Sequence, residues 1–194
     1  MKTLPAELKE NKKLKSLSLT FISKLKNFEV LKYHKKNLKF LELRTSELRS
    51  VPSILTELKG LEEFNMKATY KFKDISNLKN MPNLKKLSLG CLENRLLSKN
   101  LNSLKNLEEL FIWKSWNPSA DELIGLKKLK SIDSVSSLKN AKSFIKLERL
   151  KIQSNKGVDL SGISSSKSLK ILELYVPNLK VLPASLFLNK KLIA

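Results

Sequence analysis

The sequence predicts an α/β repeat solenoid: a curved horseshoe with a parallel sheet on its concave face and short helical or 3-10 turns on its convex face. Two observations lead to this prediction. An apolar frame of the form L-x-x-L-x-L recurs along the chain, with successive starts 24, 23, 23, 23, 22, 18 and 22 residues apart. Further apolar anchors, some preceded by proline, separate the frames, as in LPAEL at 4–8 and VPSIL at 51–55. Such a period is typical of stacked units that bury a shared core.

The frames define eight strands in chain order. Their apolar positions are Leu14/Leu17/Leu19, Leu38/Leu41/Leu43, Leu61/Phe64/Met66, Leu84/Leu87/Leu89, Leu107/Leu110/Ile112, Leu129/Ile132, Leu147/Leu150/Ile152 and Leu169/Leu172/Leu174. Because alternate residues of a strand face the same side, the strands are predicted at 16–20, 40–44, 63–67, 86–90, 109–113, 131–135, 149–153 and 171–175. The rest of each unit has room only for short convex turns.

The sixth unit departs from the period. It begins at Leu129, and the next frame follows after only 18 residues. In its strand, Ser134 falls in an inward slot and Val135 in an outward one. We therefore expect a kink or a shortened convex segment in this unit.

The repeats resemble the leucine-rich repeat family, in the class with units of about 22–24 residues, and the resemblance covers essentially all of residues 1–194 as one domain of about eight repeats. It implies a non-enzymatic protein-protein interaction module. In the family, an asparagine usually follows the L-x-L by three residues and bonds to the loop backbone. Here that slot holds Ile22, Ser46, Thr69, Leu92, Ser115, Ser137, Asn155 and Pro177. Only Asn155 conforms, so irregular loops are expected after Ile22, Leu92 and Pro177.

Composition excludes several classes of protein. The 194 residues are 41% hydrophobic without a long apolar run, which indicates a globular domain rather than a membrane-spanning one. The start, MKTLPAELKENKKL, reaches Pro5, Glu7 and Glu10 before any apolar stretch, so it does not predict a secretory signal peptide. A single cysteine, Cys91, excludes an internal disulfide framework and a cysteine-rich zinc site. We expect a cytoplasmic protein.

The sequence gives little support for catalysis. Its one histidine, His34, lies in the polar run KYHKKN without a neighbouring carboxylate or cysteine, and is predicted to titrate in solvent. None of the five glycines has a phosphate-cradling spacing. We therefore predict no enzyme activity, no cofactor and no metal site.

Alternation along the strands predicts a contact surface on the concave face. In NLEELFIWKSW at 106–116, inward Leu110 and Ile112 leave Phe111 and Trp113 facing outward. The predicted partner-binding residues are Phe40, Arg44, Lys67, Phe111, Trp113, Arg149, Lys151 and Tyr175. Exposed aromatics beside charges are typical of a protein-binding surface. In the alternative interpretation, the loop carrying Trp116 and Pro118 covers Trp113, and Trp116 itself is buried.

The net charge of +20 admits a second function. Charges on the predicted concave face, including Lys114, nearly cancel, so the excess lies in turns such as ENKKLK and GLKKLK and on the convex side. A lysine-rich edge could bind nucleic acid or an anionic membrane surface electrostatically. We favour a solvated edge over this alternative, since only four of the 38 basic residues are arginine, which phosphate recognition favours. In a third alternative, the chain is the recognition domain of a larger multidomain protein.

The two ends share a pattern. LPAELKENKKL at 4–14 and LPASLFLNKKL at 182–192 have the same spacing, and neither resembles a polar cap. Uncapped solenoid ends leave apolar side chains and strand edges in water. We therefore hypothesise that further repeats, or end-to-end self-association, protect these ends.

Overall fold

The eight frames form one parallel sheet whose strand order follows the chain. The structure, a computed structural model, describes residues 2–20, 22, 24–46, 48–67, 74–90, 98–113, 118–154, 158–182, 184 and 186. The strands are β1 (Ser16–Leu19), β2 (Phe40–Arg44), β3 (Glu63–Lys67), β4 (Lys86–Gly90), β5 (Glu109–Trp113), β6 (Ser131–Val135), β7 (Arg149–Gln153) and β8 (Ile171–Tyr175). The predicted solenoid is confirmed, with β1 one residue shorter than expected.

Short turns form the convex side. The described 3-10 turns are Ala6–Glu10, Glu29–His34, Ser53–Glu57, Ser76–Asn80, Ala120–Leu123, Ala141–Ser143 and Ile163–Ser165, and one short α-helix spans Ser98–Leu101. Several begin where a side-chain oxygen accepts a hydrogen bond from the backbone nitrogen two residues later, as Asp74 does from Ser76 at 2.7 Å. Such local bonds fix the chain direction as each unit leaves its strand.

The predicted outward orientation of Val135 is wrong. The register between β6 and β7 shifts between Ile132 and Val135, and Ser134 adopts a φ of 65°. Between these two pairs β6 has one residue more than β7, which shifts the inward and outward alternation of its side chains by one position. Val135 therefore pairs with Ile152 and is 0% exposed. The Ser134 hydroxyl donates instead to the Asp133 carboxylate at 2.6 Å. The expected shortening is present, since 13 residues separate β6 from β7 whereas 17 separate β7 from β8.

The predicted solvent exposure of His34 is also wrong. The side chain is 0% exposed, and neither ring nitrogen has a hydrogen-bond partner among the described residues. Its carbonyl accepts a hydrogen bond from the frame leucine, Leu38, at 3.1 Å. In five other units the equivalent acceptors are the carbonyls of buried apolar residues, namely Leu58, Met81, Leu104, Leu126 and Phe144, whereas in the first unit the acceptor is the exposed Asn11. His34 therefore occupies a core position of the repeat.

The terminal strands are less well covered than the inner ones. The inward apolar side chains of β2 to β5 are buried, whereas Leu17, Leu19, Leu172 and Leu174 are half-buried. Val181 and Leu182, which follow β8, are exposed. Leu192 lies outside the described residues, as do Cys91, Leu92, Lys114, Trp116 and Asn155. End-to-end self-association therefore stays a prediction.

Polar side chains link neighbouring units just before the frames. Asn83 immediately precedes a frame leucine, and its amide donates to the Lys59 carbonyl at 2.8 Å, 24 residues earlier. Asn106 donates in the same way to Pro82 at 2.9 Å, and the Ser168 hydroxyl donates to Phe144 at 3.1 Å. The asparagine bridge expected after the strands thus has a counterpart before them.

Loss of one such bridge is expected to be measurable. Replacing Asn83 by alanine should lower the free energy of unfolding by about 1 kcal/mol, because the Lys59 carbonyl loses its donor. Urea denaturation followed by circular dichroism measures this change. Asn80→Ala, at an exposed position of the preceding turn, is the control and should change stability less. Equal losses in the two variants would contradict a bridging role.

Candidate functional site

The outward residues of the strands form three rows across the concave face. The first runs from Phe40 through Glu63, Lys86, Glu109, Ser131 and Arg149 to Ile171. The second contains Ser18, Glu42, Asn65, Ser88, Phe111 and Asp133, followed by Lys151 and Glu173. The third contains Arg44, Lys67 and Gly90, which pairs with the backbone of Trp113, followed by Gln153 and Tyr175. Because the strands are in register, side chains of successive units become neighbours.

The predicted partner-binding residues all belong to these strands but differ in exposure. Phe40 and Phe111 are half-buried, as are Arg44, Lys67, Arg149 and Lys151. Tyr175 is 66% exposed, and Ile171, which the predicted site omitted, is 44% exposed. The backbone of Trp113 lies in β5, and its side chain is outside the described part of the structure. The exposed apolar surface of β8 therefore combines Tyr175 with Ile171.

Ion pairs compensate most charges on the concave face. Arg44 lies 2.7 Å from Glu42, Lys86 lies 2.8 Å from Glu109, and Arg149 lies 2.6 Å from Glu173. Lys151 lies 3.6 Å from the buried Asp133. The hydrogen bond from the Ser18 hydroxyl, aided by Arg44, lowers the pKa of Glu42. The concave face thus offers fixed polar pairs between its apolar side chains.

A continuous charge ladder borders the strands at their N-terminal ends. The residue after each frame leucine is, in order, Lys15, Lys39, Glu62, Lys85, Glu108, Lys130, Glu148 and Lys170. Each backbone nitrogen from Lys39 onward donates to the carbonyl of the preceding member at 2.7–2.9 Å. From Lys39 onward the charges alternate, so each carboxylate has a lysine in the next unit, for example Lys130 at 2.7 Å from Glu108.

Lysines and carboxylates of the ladder shift one another's pKa values. Hydrogen bonds from Lys85 and Lys39 lower the pKa of Glu62 from 4.5 to about 2, and the same carboxylate raises the pKa of Lys85. Because this pKa is lowered, the stabilising contribution of Glu62 is present at neutral pH and is lost as the pH falls through about 4.5 to about 2. The charges of this ladder are therefore mostly paired within the protein.

A second edge column carries more of the excess positive charge. Two residues before the frame leucines stand six exposed lysines, which we name the lysine edge: Lys12, Lys36, Lys59, Lys105, Lys127 and Lys167. A groove of about 340 Å³ separates part of it from the charge ladder and includes Lys59, Asn83 and Lys128 in its lining. The groove lining also contains Glu62 and Glu108, so it mixes both signs of charge.

A depression that the sequence did not predict lies at the centre of the concave face. It measures about 250 Å³ and lies over β3 to β5, with Glu63, Ser88 and Phe111 among its lining residues. We name it the β4 depression. The sequence feature that indicates the depression is a pair of small outward residues on β4, Ser88 and Gly90. The residues beside them on both neighbouring strands are larger. Among the described residues, no group of three or more His, Cys, Asp or Glu side chains could hold a metal ion.

Comparisons with known proteins agree with this geometry. No protein-family model matches the sequence, and no curated protein matches it. An internalin, InlF, from Listeria monocytogenes has a similar structure, with a TM-score of 0.67 and 19% identity over 89% of this chain and 51% of that one. A leucine-rich repeat protein from Leptospira interrogans gives 0.62 and 22% over 99% of this chain and 62% of that one. The chain therefore spans about half to three fifths of these two proteins.

A third similar structure is that of a plant peptide hormone receptor, RGFR1, in complex with RGF2. Its TM-score is 0.55 and its identity 14%, over 98% of this chain and 36% of the receptor chain. No helix in the described ranges is long and apolar enough to cross a membrane. One parallel sheet, a strand and a short turn in each unit, and these structural neighbours lead to the same conclusion. The chain has the fold of the leucine-rich repeat proteins.

Proposed function

We propose that this chain is a non-enzymatic protein-interaction module that binds a protein partner through its concave face. The observation that carries the proposal is the exposure of large apolar side chains on β8: Tyr175 is 66% and Ile171 is 44% exposed. Their strand neighbours Leu172 and Leu174 pack against the core, so alternation places Tyr175 and Ile171 on the concave side. An apolar anchor bordered by polar groups is typical of a protein-binding surface.

The compensated charges on this face support the same function. Among the described concave residues, five cations, Arg44, Lys67, Lys86, Arg149 and Lys151, accompany five carboxylates, Glu42, Glu63, Glu109, Asp133 and Glu173. A face of near-zero net charge in a chain of net charge +20 can approach a partner without strong repulsion. The similar plant receptor, solved in complex with RGF2, supports the view that this fold presents a surface for a partner.

The test is affinity capture from an extract of the source cells with matched baits. Wild type, Trp113→Ala and Tyr175→Ala are compared with Lys127→Ala, a control on the lysine edge. We expect a captured protein to bind the first two variants more weakly by more than about 1 kcal/mol, because each removes an aromatic anchor. Melting temperatures should stay close to that of wild type. A large fall for Trp113→Ala would show that Trp113 belongs to the core, and unchanged capture by both aromatic variants would contradict the proposal.

The second candidate function is electrostatic binding of nucleic acid or an anionic membrane surface through the lysine edge. The observation that favours it is the recurrence of an exposed lysine at the same repeat position in six units. Capture repeated at several salt concentrations separates the two functions. Electrostatic contacts weaken steeply with added salt, whereas binding through apolar anchors does not. Loss of capture in Lys127→Ala, together with a steep salt dependence, would favour this second function.

A further inference from the structure

The β4 depression has the dimensions of a site for one side chain of a partner. Its volume of about 250 Å³ is smaller than the ~300–1,000 Å³ common for small-molecule pockets. It forms because Ser88 lies between Asn65 on β3 and Phe111 on β5, so a short side chain stands between longer ones. The carboxylates of Glu63 and Glu109 and the amine of Lys86 complete its lining.

Glu63 differs from the other concave carboxylates. Glu42, Glu109, Asp133 and Glu173 each lie within 3.6 Å of a cationic nitrogen. Within the described part of the chain, Glu63 has no ion pair and accepts only a hydrogen bond from the Asn65 amide at 3.3 Å. Lys86, the cation that lines the depression, is bound to Glu109 at 2.8 Å. The depression thus holds two carboxylates for one ammonium group.

Phe111 adds an aromatic wall to this acidic site. The ring is half-buried and lines the depression together with Glu63. Aromatic faces attract cations, and arginine does so with a planar guanidinium that also bonds carboxylates through two parallel donors. A lysine ammonium is a compact point charge and matches this combination less well. The methylene groups of a lysine would still pack on the Phe111 ring.

We propose that the β4 depression receives a single arginine side chain of the protein partner, with the guanidinium bonded to Glu63 and lying against Phe111. This inference rests on the proposed function, because it places one contact of that partner on the concave face. The described charges of the concave face nearly cancel, so the β4 depression, which holds two carboxylates for one ammonium group, is a locally acidic point of that face.

The test uses N-acetyl-arginine amide as the probe and N-acetyl-citrulline amide, its uncharged isostere, as the control ligand. Each is titrated into the ¹⁵N-labelled full chain while backbone amide resonances are followed. We expect saturable shifts at Ser88 and Phe111 with the arginine probe, and at least about fivefold weaker binding of the citrulline analogue, because a charge-assisted hydrogen bond is lost.

Variants of two concave carboxylates complete the design. Glu63→Gln should lower the affinity for the arginine probe by at least about fivefold. Glu173→Gln changes a carboxylate that is already paired with Arg149 at 2.6 Å, and it should leave the affinity for the arginine probe unchanged. Equal affinity of wild type and Glu63→Gln, equal affinity for the two ligands, or shifts confined to other parts of the chain would each overturn the inference.

Failure of this inference is distinguishable from failure of the proposed function. If Tyr175→Ala loses the captured partner while the arginine and citrulline ligands bind alike, the concave face binds protein without the arginine site. If the arginine probe binds as expected while neither aromatic variant changes capture, the site exists and the proposed apolar anchors are wrong.

Discussion

Replacing Gly162 by alanine is expected to lower the free energy of unfolding by about 2–4 kcal/mol. A Cβ at this position would lie 1.8 Å from the backbone oxygen of Lys139, far inside van der Waals contact. The conformation of Gly162 is not the reason, since its φ of −78° suits any residue. The constraint is the close approach of two neighbouring units, and it acts on backbone atoms that cannot rotate away.

Lys139 has little freedom to move from this contact. Its backbone nitrogen donates to the Asp121 carboxylate at 3.1 Å, which ties it to the preceding unit. Asp121 also accepts from the backbone nitrogen of Asn140 at 2.7 Å. A methyl group at Gly162 would therefore have to separate two units or break these bonds, and either change should lower stability.

Gly90→Ala is the matched control for Gly162→Ala. A Cβ at Gly90 would meet its nearest atom, a side-chain carbon of Lys67, at 3.4 Å, which is an ordinary contact. This variant should be neutral or stabilising by up to about 1 kcal/mol, because alanine restricts the unfolded chain more than glycine does. Chemical denaturation of both variants beside wild type measures the difference. Equal effects of the two substitutions would show that the close approach to Lys139 is not limiting.

The strands were predictable because one physical requirement repeats in every unit. Each frame must bury alternate residues against its neighbours, so the apolar period determines both strand position and orientation. Seven of the eight strands have the predicted bounds, and β1 ends one residue early at Leu19. The same alternation predicted the concave rows, including the outward positions of Phe111 and Tyr175 in the register of the sheet.

The errors have a common cause in changes of unit length. In β6 the bulge at Ser134 adds one residue, which turns Val135 inward. Before β2, Leu38 bonds to the carbonyl four residues earlier, whereas Leu61 bonds to the carbonyl of Leu58, three residues earlier. The polar run KYHKKN therefore concealed His34 as a core residue. One inserted residue changes which side chain faces inward, and the apolar pattern does not mark it.

The contact surface was only partly predictable for a different reason. Alternation assigns side chains to a face but does not determine which charges pair across strands. Arg149, a predicted contact residue, bonds to Glu173 at 2.9 Å and 2.6 Å through two nitrogens, while Glu63, which was not predicted, accepts a hydrogen bond from Asn65 and forms no ion pair among the described residues. These differences depend on side-chain geometry between units.

The last prediction is that His34→Leu stabilises the protein by about 1–3 kcal/mol. The imidazole is fully buried without a hydrogen-bond partner in the described structure, so folding removes its bonds to water without replacing them. Leucine already occupies the equivalent position at Leu58, Leu104 and Leu126, where it is buried in the core. It is also close to histidine in size, so overpacking should be small. Urea denaturation at neutral pH measures the gain.

Two further variants separate polarity from shape at this position. His34→Asn keeps a polar group in the same apolar surroundings and should not stabilise the protein, since its amide would also lack partners. Leu58→His places an imidazole at the equivalent position of the next unit and should be destabilising by at least about 1–3 kcal/mol. Lower stability of His34→Leu than of wild type would show that the ring nitrogens of His34 make bonds that the leucine cannot replace, and the assignment of His34 as an uncompensated core residue would then be wrong.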